Sequence, residues 1–257
     1  MPKMTKLTLR FFHIVAFYLV LIWLASMLLI GNFVIFFLHY LLPIDTGKIF
    51  GRKLNSFVFR LFLNGCCHLG LMHLDLHALD KLNVEQGIII APNHPSMLDA
   101  LLILSRIKNT SCLMKASLWN SIFLHSGARL AGYVRNDSIK SMVRRSVKEL
   151  QSGSNLLIFP EGTRTVQLPI NRLKTGIGLI STKAQAPIQT ILLLTDSPYL
   201  TKHWPIWIPP PFPIYFKAVI GQRFEPTSRT TEIISLLQNY YDRILDDSLH
   251  QPHTAHT

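Results

Sequence analysis

The N-terminal part of the chain is one long apolar run. Residues 11–44 contain no Asp, Glu, Lys or Arg, and Gly31–Asn32 is a natural break within the run. As one straight helix the run would measure about 51 Å, whereas the hydrocarbon core of a bilayer is about 30 Å thick. Two arrangements are therefore open: a spanning helix followed by an interfacial segment, or a bent helical pair that returns to the same side. Lys and Arg flank both ends of the run, and the positive-inside rule therefore favours the returning pair.

From about residue 70 the pattern changes to short strands that alternate with helical segments. Alternating or continuous apolar residues predict strands at 71–77, 87–91, 111–114, 155–159, 188–194 and 215–220. Helical spacing predicts helices at 96–107, 117–131, 138–151, 174–184 and 230–247. Short, fully apolar strands separated by helices are typical of a parallel sheet with covered faces. The sequence therefore predicts an α/β fold, with a mostly parallel sheet flanked by helices and an N-terminal membrane-embedded helix or helical pair.

These patterns divide the chain into four parts. We expect an N-terminal membrane segment at 1–45, a basic connecting segment at 46–70 and an α/β domain at 71–247. Residues 248–257 are polar and form a predicted disordered tail.

Composition narrows the class of protein. The chain has 257 residues and a net charge of +12, with 49% hydrophobic but only 16% charged residues. An intrinsically disordered chain is poor in apolar residues, so this composition excludes that class of protein. An ordinary soluble domain carries about 25% charged residues, so the low charged fraction argues against that class as well. A basic, apolar chain is typical of proteins that meet a membrane surface or anionic substrates. The three cysteines form neither a C-x-x-C motif nor a disulfide framework, which indicates reduced thiols in a protein that faces the cytosol.

A histidine and an aspartate follow the predicted strand at 87–91. His94 and Asp99 are five residues apart, and Pro95 between them favours the first position of a helix. His94 would then lie at the helix cap, where the Asp99 carboxylate can reach its ring. A carboxylate on one imidazole nitrogen fixes the tautomer and leaves the other nitrogen as a base. The alternative is a capping histidine beside an unrelated aspartate.

A second polar motif, residues 159–164, follows the predicted strand at 155–159. Gly162 allows a tight turn, and Arg164 offers a bidentate fork for phosphate or carboxylate. Glu161 either accepts a hydrogen bond from a substrate hydroxyl or holds Arg164 in place. The candidate substrate-binding residues here are Glu161, Gly162, Thr163 and Arg164, with Lys174 as a further cation downstream. The alternative is an ordinary turn with a surface ion pair.

The two motifs in this order resemble those of the glycerolipid acyltransferase family, the 1-acyl-glycerol-3-phosphate (lysophospholipid) acyltransferases. His94-x4-Asp99 resembles the catalytic block of that family, and residues 159–164 resemble its glycerol-phosphate block. Lys115-x2-Leu118 resembles the start of the block in between, and residues 186–188 resemble the later proline block. The resemblance covers residues 70–222.

The resemblance implies a membrane-bound O-acyltransferase. His94 would take the proton of an acceptor hydroxyl, which attacks the thioester of acyl-CoA or acyl carrier protein, while Asp99 orients the imidazole. No acyl-enzyme is needed, and the sequence has no G-x-S-x-G motif. We expect no cofactor, no metal and no nucleic acid. The implied partners are membrane lipids, the acyl donor and a lysolipid acceptor, at a bacterial-type inner (cytoplasmic) membrane with the catalytic domain facing the cytoplasm.

The middle of the chain departs from the family pattern. Arg135 precedes Asp137, whereas the family often has a phosphate-binding arginine after an aspartate, and His125 stands where a glycine is expected. Lys115 and Arg135 remain candidate substrate-binding residues. Two alternatives to an acyltransferase that acts on lysophosphatidic acid stay open. One is the same chemistry on a non-phosphate lysolipid, and the other is a membrane-anchored lipid-binding protein without catalysis. The intact His94 and Asp99 argue against the second alternative.

Two surface segments each have two interpretations. The aromatic and proline-rich stretch at 204–213 either lies on the bilayer or packs on a sheet edge. A basic region either docks acyl carrier protein or anionic lipid headgroups, or is a solvated helix face. That region comprises Arg129, Arg135, Lys140, Arg144, Arg145 and Lys148.

Overall fold

The computed structural model describes residues 3–41 and 43–250. The strands are β1 (Met72–Asp75), β2 (Ile89–Pro92), β3 (Thr110–Lys115), β4 (Val134–Asn136), β5 (Asn155–Leu157), β6 (Ile188–Thr195) and β7 (Ile214–Phe224). The helices are α1 (Lys3–Leu41), α2 (Ile44–His68), α3 (Asp99–Arg106), α4 (Ala116–Trp119), α5 (His125–Leu130), α6 (Ile139–Gln151), α7 (Gly176–Ala184) and α8 (Thr230–His250). A 3-10 helix spans His77–Val84.

The seven strands of the described residues form one sheet in the order β1-β7-β6-β2-β5-β3-β4. Every neighbouring pair is parallel except β6 and β7, which are antiparallel. The central strand β2 is buried along its whole length, as expected for a parallel strand covered on both faces. The α/β fold with a mostly parallel sheet flanked by helices, which the sequence predicts, is confirmed.

Helices cover the two faces of this sheet with separate hydrophobic clusters. The first cluster joins α1, α2 and α3 to one face, through residues such as Phe17, Phe62 and Leu102. The second cluster joins α6, α7 and α8 to the other face, through residues such as Val143 and Ile180. The sheet therefore has an N-terminal helical layer on one side and a C-terminal helical layer on the other.

The predicted helix break at Gly31–Asn32 is wrong. Helix α1 continues through both residues, and a glycine inside a helix costs only about 1 kcal/mol relative to alanine. The Oδ1 atom of Asn32 accepts hydrogen bonds from the backbone N–H groups of Ser126 (2.9 Å) and Gly127 (3.4 Å). Asn32 therefore anchors α1 to the N-terminal end of α5, and the chain turns later, at Pro43.

Several elements differ from their predicted form. The basic segment at 46–70 is helix α2 for most of its length, and the helix predicted at 117–131 consists of α4 and α5. Strand β4 has no apolar run and was not predicted; its pairing with β3 forms it. Helix α8 includes residues 248–250, which the sequence assigns to the tail, and the rest of that predicted tail lies outside the described residues.

One face of α1 packs against the protein and the opposite face is exposed. Ala16, Phe17, Val20 and Ile35 are buried at helical spacing. The exposed side chains are also apolar and include Phe11, Leu19, Ile22, Ile30 and Phe33. Residues Lys6–Phe37 are long and apolar enough to cross a membrane by length and composition alone.

The buried side chain of Arg52 attaches α2 to the α/β domain. Arg52 is 4% exposed, and its Nη2 atom lies 2.5 Å from Oε2 of Glu149. Lys48 Nζ lies 2.6 Å from the other carboxylate oxygen. The remaining guanidinium N–H groups donate to the carbonyl of Ala131 and to the side chains of Asn109 and Ser154. Because each charge is paired and hydrogen-bonded, its burial is compensated.

We predict that Arg52→Ala lowers the free energy of unfolding by about 3–5 kcal/mol, because it leaves Glu149 as a buried carboxylate without its main partner. Denaturant unfolding of the detergent-solubilised full chain measures the change. Lys53→Ala, at an exposed neighbouring position, should change it by less than about 0.5 kcal/mol. Equal effects of the two substitutions would contradict a stabilising role for Arg52.

Candidate active site

The carboxyl ends of four strands bring the predicted site residues to one edge of the sheet. Strands β2, β5, β3 and β4 are consecutive and parallel. His94 and Asp99 follow β2, residues 161–164 follow β5, Lys115 ends β3 and Arg135 lies in β4. Ligands of open α/β sheets bind at this edge. The fold therefore joins residues that are up to 80 positions apart, from His94 to Lys174.

His94 and Asp99 form a hydrogen-bonded pair. Asp99 is the first residue of α3 and is fully buried, and its Oδ2 atom lies 2.8 Å from Nδ1 of His94. The same oxygen accepts a hydrogen bond of 2.9 Å from the backbone N–H of Ser96. The His94 side chain keeps 17% of its surface exposed. With the proton held on Nδ1, the Nε2 atom is left as the basic nitrogen of the ring.

Burial raises the pKa of Asp99 to about 6, while the hydrogen bond and charge of His94 oppose the increase. The other carboxylate oxygen, Oδ1, is buried and has no hydrogen-bond partner among the described residues. Asp99 is therefore ionised at neutral pH but takes up a proton in mildly acidic solution. Its protonation removes the acceptor that holds the His94 tautomer.

The aromatic ring of Phe159 fixes the plane of the imidazole. The ring centroids of His94 and Phe159 are 3.8 Å apart, and their planes are inclined by 21°. The backbone N–H of Thr165 also donates to the carbonyl of His94, at 2.8 Å. The loop after β5 therefore contacts the His94–Asp99 pair directly, and the imidazole is held by stacking on one side and by Asp99 at its edge.

Glu161 is fully buried and ties the two strand-end loops together. Its Oε1 atom accepts hydrogen bonds from the His94 backbone N–H (2.9 Å) and the Thr165 hydroxyl (2.8 Å). Its Oε2 atom accepts one from the Asn171 backbone N–H, at 3.0 Å. Burial raises the pKa of Glu161, and these hydrogen bonds oppose the increase. Substrate binding by Glu161 stays a prediction, because the structure shows its oxygens engaged by the chain itself.

Gly162 makes the turn that the sequence predicts. Its φ is +68°, a value that strains other residues, and its N–H donates to the Phe159 carbonyl at 3.0 Å. A Cβ atom there would lie only 3.1 Å from Cγ of Lys174. The backbone N–H of Lys174 donates to the Pro160 carbonyl, at 2.8 Å. The structure therefore places Lys174 against the turn, with Thr163 half-buried beside it.

Arg164 is half-buried and supports the segment at 196–213. Its Nη1 atom donates to the carbonyls of Leu200 and Thr201, both at 3.0 Å. The backbone N–H of Met97 also donates to the Leu200 carbonyl. The segment is thus attached to the loops after both β2 and β5. The other guanidinium N–H groups make no hydrogen bond to the described residues, so phosphate binding by Arg164 stays a prediction.

Lys115 and Arg135 lie further along the same edge. Lys115 is exposed at the end of β3, and Arg135 is half-buried opposite Met114. The Arg135 Nε atom is buried and has no partner among the described residues. Among the described residues, neither side chain makes a hydrogen bond or ion pair with His94, so these two cations extend the site laterally rather than complete the pair.

Asn171 organises the loop after β5, a role that the sequence pattern does not predict. Its Oδ1 atom accepts hydrogen bonds from the backbone N–H groups of Val166 (3.1 Å) and Gln167 (3.0 Å). Its Nδ2 atom donates to the Arg164 carbonyl, at 3.1 Å. An asparagine shortly after Leu168-Pro169 was the available signal, since asparagine side chains commonly bond nearby backbone groups in turns.

Comparison with known proteins relates part of the chain to a known family. The family model described as acyltransferase matches residues 73–194, which contain both motifs. This part of the chain is therefore similar to proteins of the acyltransferase family.

Two known proteins are similar to the chain. Over 140 residues it is 30% identical to a Caenorhabditis elegans protein provisionally named a 1-acyl-sn-glycerol-3-phosphate acyltransferase. The match covers 52% of this chain and 49% of that protein, so the chain spans about half the length of this relative. The crystal structure of PlsC, the 1-acyl-sn-glycerophosphate (LPA) acyltransferase of Thermotoga maritima, superposes with a TM-score of 0.66 at 16% identity. That superposition covers 99% of this chain and 100% of PlsC, and it shows a shared fold.

We predict that Glu161→Gln lowers the free energy of unfolding by about 1–3 kcal/mol. The NH2 group of the glutamine cannot accept a hydrogen bond, so at least one N–H or O–H group that now donates to the carboxylate would lose its acceptor. Denaturant unfolding measures the loss. Glu225→Gln is the matched control, since the Glu225 side chain is 74% exposed, and it should change stability by less than about 0.5 kcal/mol. Wild-type stability in the Glu161 variant would argue against the hydrogen-bonding role of its carboxylate.

Proposed function

We propose that the protein is a membrane-bound O-acyltransferase. It would move a fatty acyl group from acyl-CoA or acyl carrier protein to the hydroxyl of a lysophospholipid such as 1-acyl-glycerol-3-phosphate. The observation that carries the proposal is the His94–Asp99 pair, at 2.8 Å on the carboxyl edge of the sheet with Nε2 of the ring available. The acyltransferase family match over residues 73–194 and the name of the C. elegans relative support it.

The proposed reaction needs one base and no covalent enzyme intermediate. Nε2 of His94 takes the proton of the acceptor hydroxyl while the hydroxyl oxygen attacks the thioester carbonyl carbon. The tetrahedral intermediate then expels the thiolate, which takes the proton back from the imidazolium and leaves as a thiol. The products are the acylated acceptor and the free thiol. Asp99 keeps the imidazole in one tautomer and stabilises its charged form.

The acceptor would bind along the cationic edge beside this pair. The turn at 162–164, Lys174, Lys115 and Arg135 supply backbone, hydroxyl and cationic groups next to one another on consecutive strand ends. Guanidinium and ammonium groups bind phosphate oxygens strongly. A phosphate-bearing lysolipid therefore suits the edge best, and a non-phosphate lysolipid is the alternative acceptor.

The membrane attachment that we propose is to one leaflet. The α/β domain contacts α1 at both ends of a long stretch, through His13 on Phe212 and through Asn32 on the Ser126 backbone. These contacts are 19 residues apart, or about 29 Å along a helix, close to the thickness of the hydrocarbon core. A domain attached along that length does not leave α1 free to cross the bilayer. The exposed apolar face of α1 would instead lie in the interface, with the domain on the cytoplasmic side of a bacterial-type inner membrane.

We predict that His94→Ala lowers acyl transfer by at least about 10²-fold, as expected for loss of a general base, without loss of folding. Membranes that contain each variant would be given labelled acyl-CoA or acylated carrier protein, with lysophosphatidic acid, other lysophospholipids or lyso amino-acid lipids. His68→Ala, at an exposed histidine, is the control and should retain wild-type turnover. Unchanged turnover in the His94 variant would exclude the mechanism, and transfer only to a phosphate-free lysolipid would select the alternative acceptor.

We also predict that kcat/KM falls as the pH is lowered through about 6. The pKa of Asp99 is raised to about 6, so its carboxylate is ionised above that pH and protonated below it. Protonation removes the acceptor that holds the His94 tautomer. A pH–rate profile from about pH 5 to about pH 8 measures this acidic limb. Asp75→Asn, at an exposed aspartate, should leave the profile unchanged. A flat profile in the wild type would contradict the role of Asp99.

A further inference from the structure

The outer face of α6 concentrates positive charge. The basic face of α6 consists of four exposed side chains: Lys140, Arg144, Arg145 and Lys148. The acid within the helix, Glu149, is buried and pairs with Arg52 and Lys48. Asp137, just before the helix, approaches Arg145 at 4.0 Å but is itself exposed. The basic face therefore keeps most of its charge.

The charge is segregated rather than mixed along the surface. Helix α8 belongs to the same hydrophobic cluster and thus covers the same face of the sheet. It carries Glu232, Asp242, Asp246 and Asp247 against a single arginine, Arg243. Surfaces without a binding role usually intersperse the two signs of charge. A helix with basic residues on its exposed face therefore suits an acidic partner.

The basic face begins near the carboxyl edge of the sheet, where His94 lies. Helix α6 begins at Ile139, three residues after the end of β4, and β4 is three strand spacings from β2. Three spacings correspond to about 14 Å across the sheet. Lys115 ends β3, which lies between β2 and β4, and Arg135 lies in β4. A partner on α6 would therefore lie beside the path to His94.

The position of α6 favours a soluble partner over a lipid surface. The layer of α1 and α2 covers one face of the sheet, and the layer of α6, α7 and α8 covers the other. With the apolar face of α1 in the bilayer, α6 is on the far side of the sheet from the lipid. Headgroups of that bilayer then lie away from the basic face.

We propose that the basic face of α6 is the docking surface for an acidic carrier protein that delivers the acyl thioester to His94. The inference rests on the proposed function. A carrier protein and coenzyme A hold the acyl group on the same kind of long, flexible pantetheine arm, and only the carrier adds a protein body. Coenzyme A is anionic too, but its charge is confined to a few phosphates, whereas an acidic protein body can extend along the helix. Charge on α6 should therefore matter far more for a carrier-bound donor than for acyl-CoA.

The test is the double charge reversal Arg144→Glu/Lys148→Glu, assayed with palmitoylated carrier protein and with palmitoyl-CoA. We expect kcat/KM for the carrier-bound donor to fall at least about tenfold, because electrostatic steering is lost, and kcat/KM for palmitoyl-CoA to change less than about twofold. Arg144→Lys/Lys148→Arg keeps the charge and should behave as wild type. Lys183→Glu, an exposed reversal on α7, should also have no effect. Added salt should reduce the wild-type rate with the carrier far more than that of the variant.

Binding of a fluorescently labelled holo-carrier protein, measured by anisotropy, separates docking from catalysis. We expect the wild type to bind and the reversed variant to lose binding, even if acyl transfer itself fails with every acceptor. No binding by the wild type overturns the proposal. An equal fall of kcat/KM for both donors also overturns the proposal. So does a reversed variant that loses binding to phosphatidylglycerol vesicles but keeps wild-type kinetics with the carrier-bound donor, because that result would assign the basic face to lipid.

Discussion

The carboxylate of Glu161 accepts a hydrogen bond from the backbone of His94, a residue 67 positions away. It also accepts one from Thr165 and one from Asn171, so a single buried group fixes the loop after β2 against the loop after β5. The position of the His94 ring depends on this junction, because Phe159, which stacks on the ring, belongs to the second loop. The two loops therefore act as one unit, and the His94–Asp99 pair has a fixed orientation relative to the cationic turn.

Local pattern was sufficient to predict every described strand except β4, most of the helices of the α/β domain and the pairing of His94 with Asp99. Apolar strands such as Ile89–Pro92 are buried on both faces, and their side chains carry that signal in the sequence itself. The position of Pro95 likewise indicates where α3 begins. The roles of Glu161 and Arg164 were not predictable in the same way. Both side chains bond to backbone groups, of His94 and of Leu200, that leave no trace in the residue types.

The N-terminal region shows a second limit of local pattern. Gly31 and Asn32 favour a break by propensity, yet α1 continues because its apolar side chains pack on the domain and Asn32 finds backbone partners in α5. The amphipathic helix α2 carries Arg52 inward, to the buried Glu149, while its sequence indicates only a basic segment. Tertiary contacts thus decide both features, and propensity alone is too weak to oppose them.

The stacking of Phe159 on His94 has a consequence for how substrates meet. A ring held between an aromatic face and a carboxylate does not swing from one substrate to another, so Nε2 stays at a single place. In acyl transfer that nitrogen would receive a proton from the acceptor oxygen and return it to the departing sulfur. Oxygen and sulfur must then both lie within hydrogen-bonding distance of the same point in space. In the proposed reaction the donor and the acceptor would therefore occupy the site together, as a ternary complex.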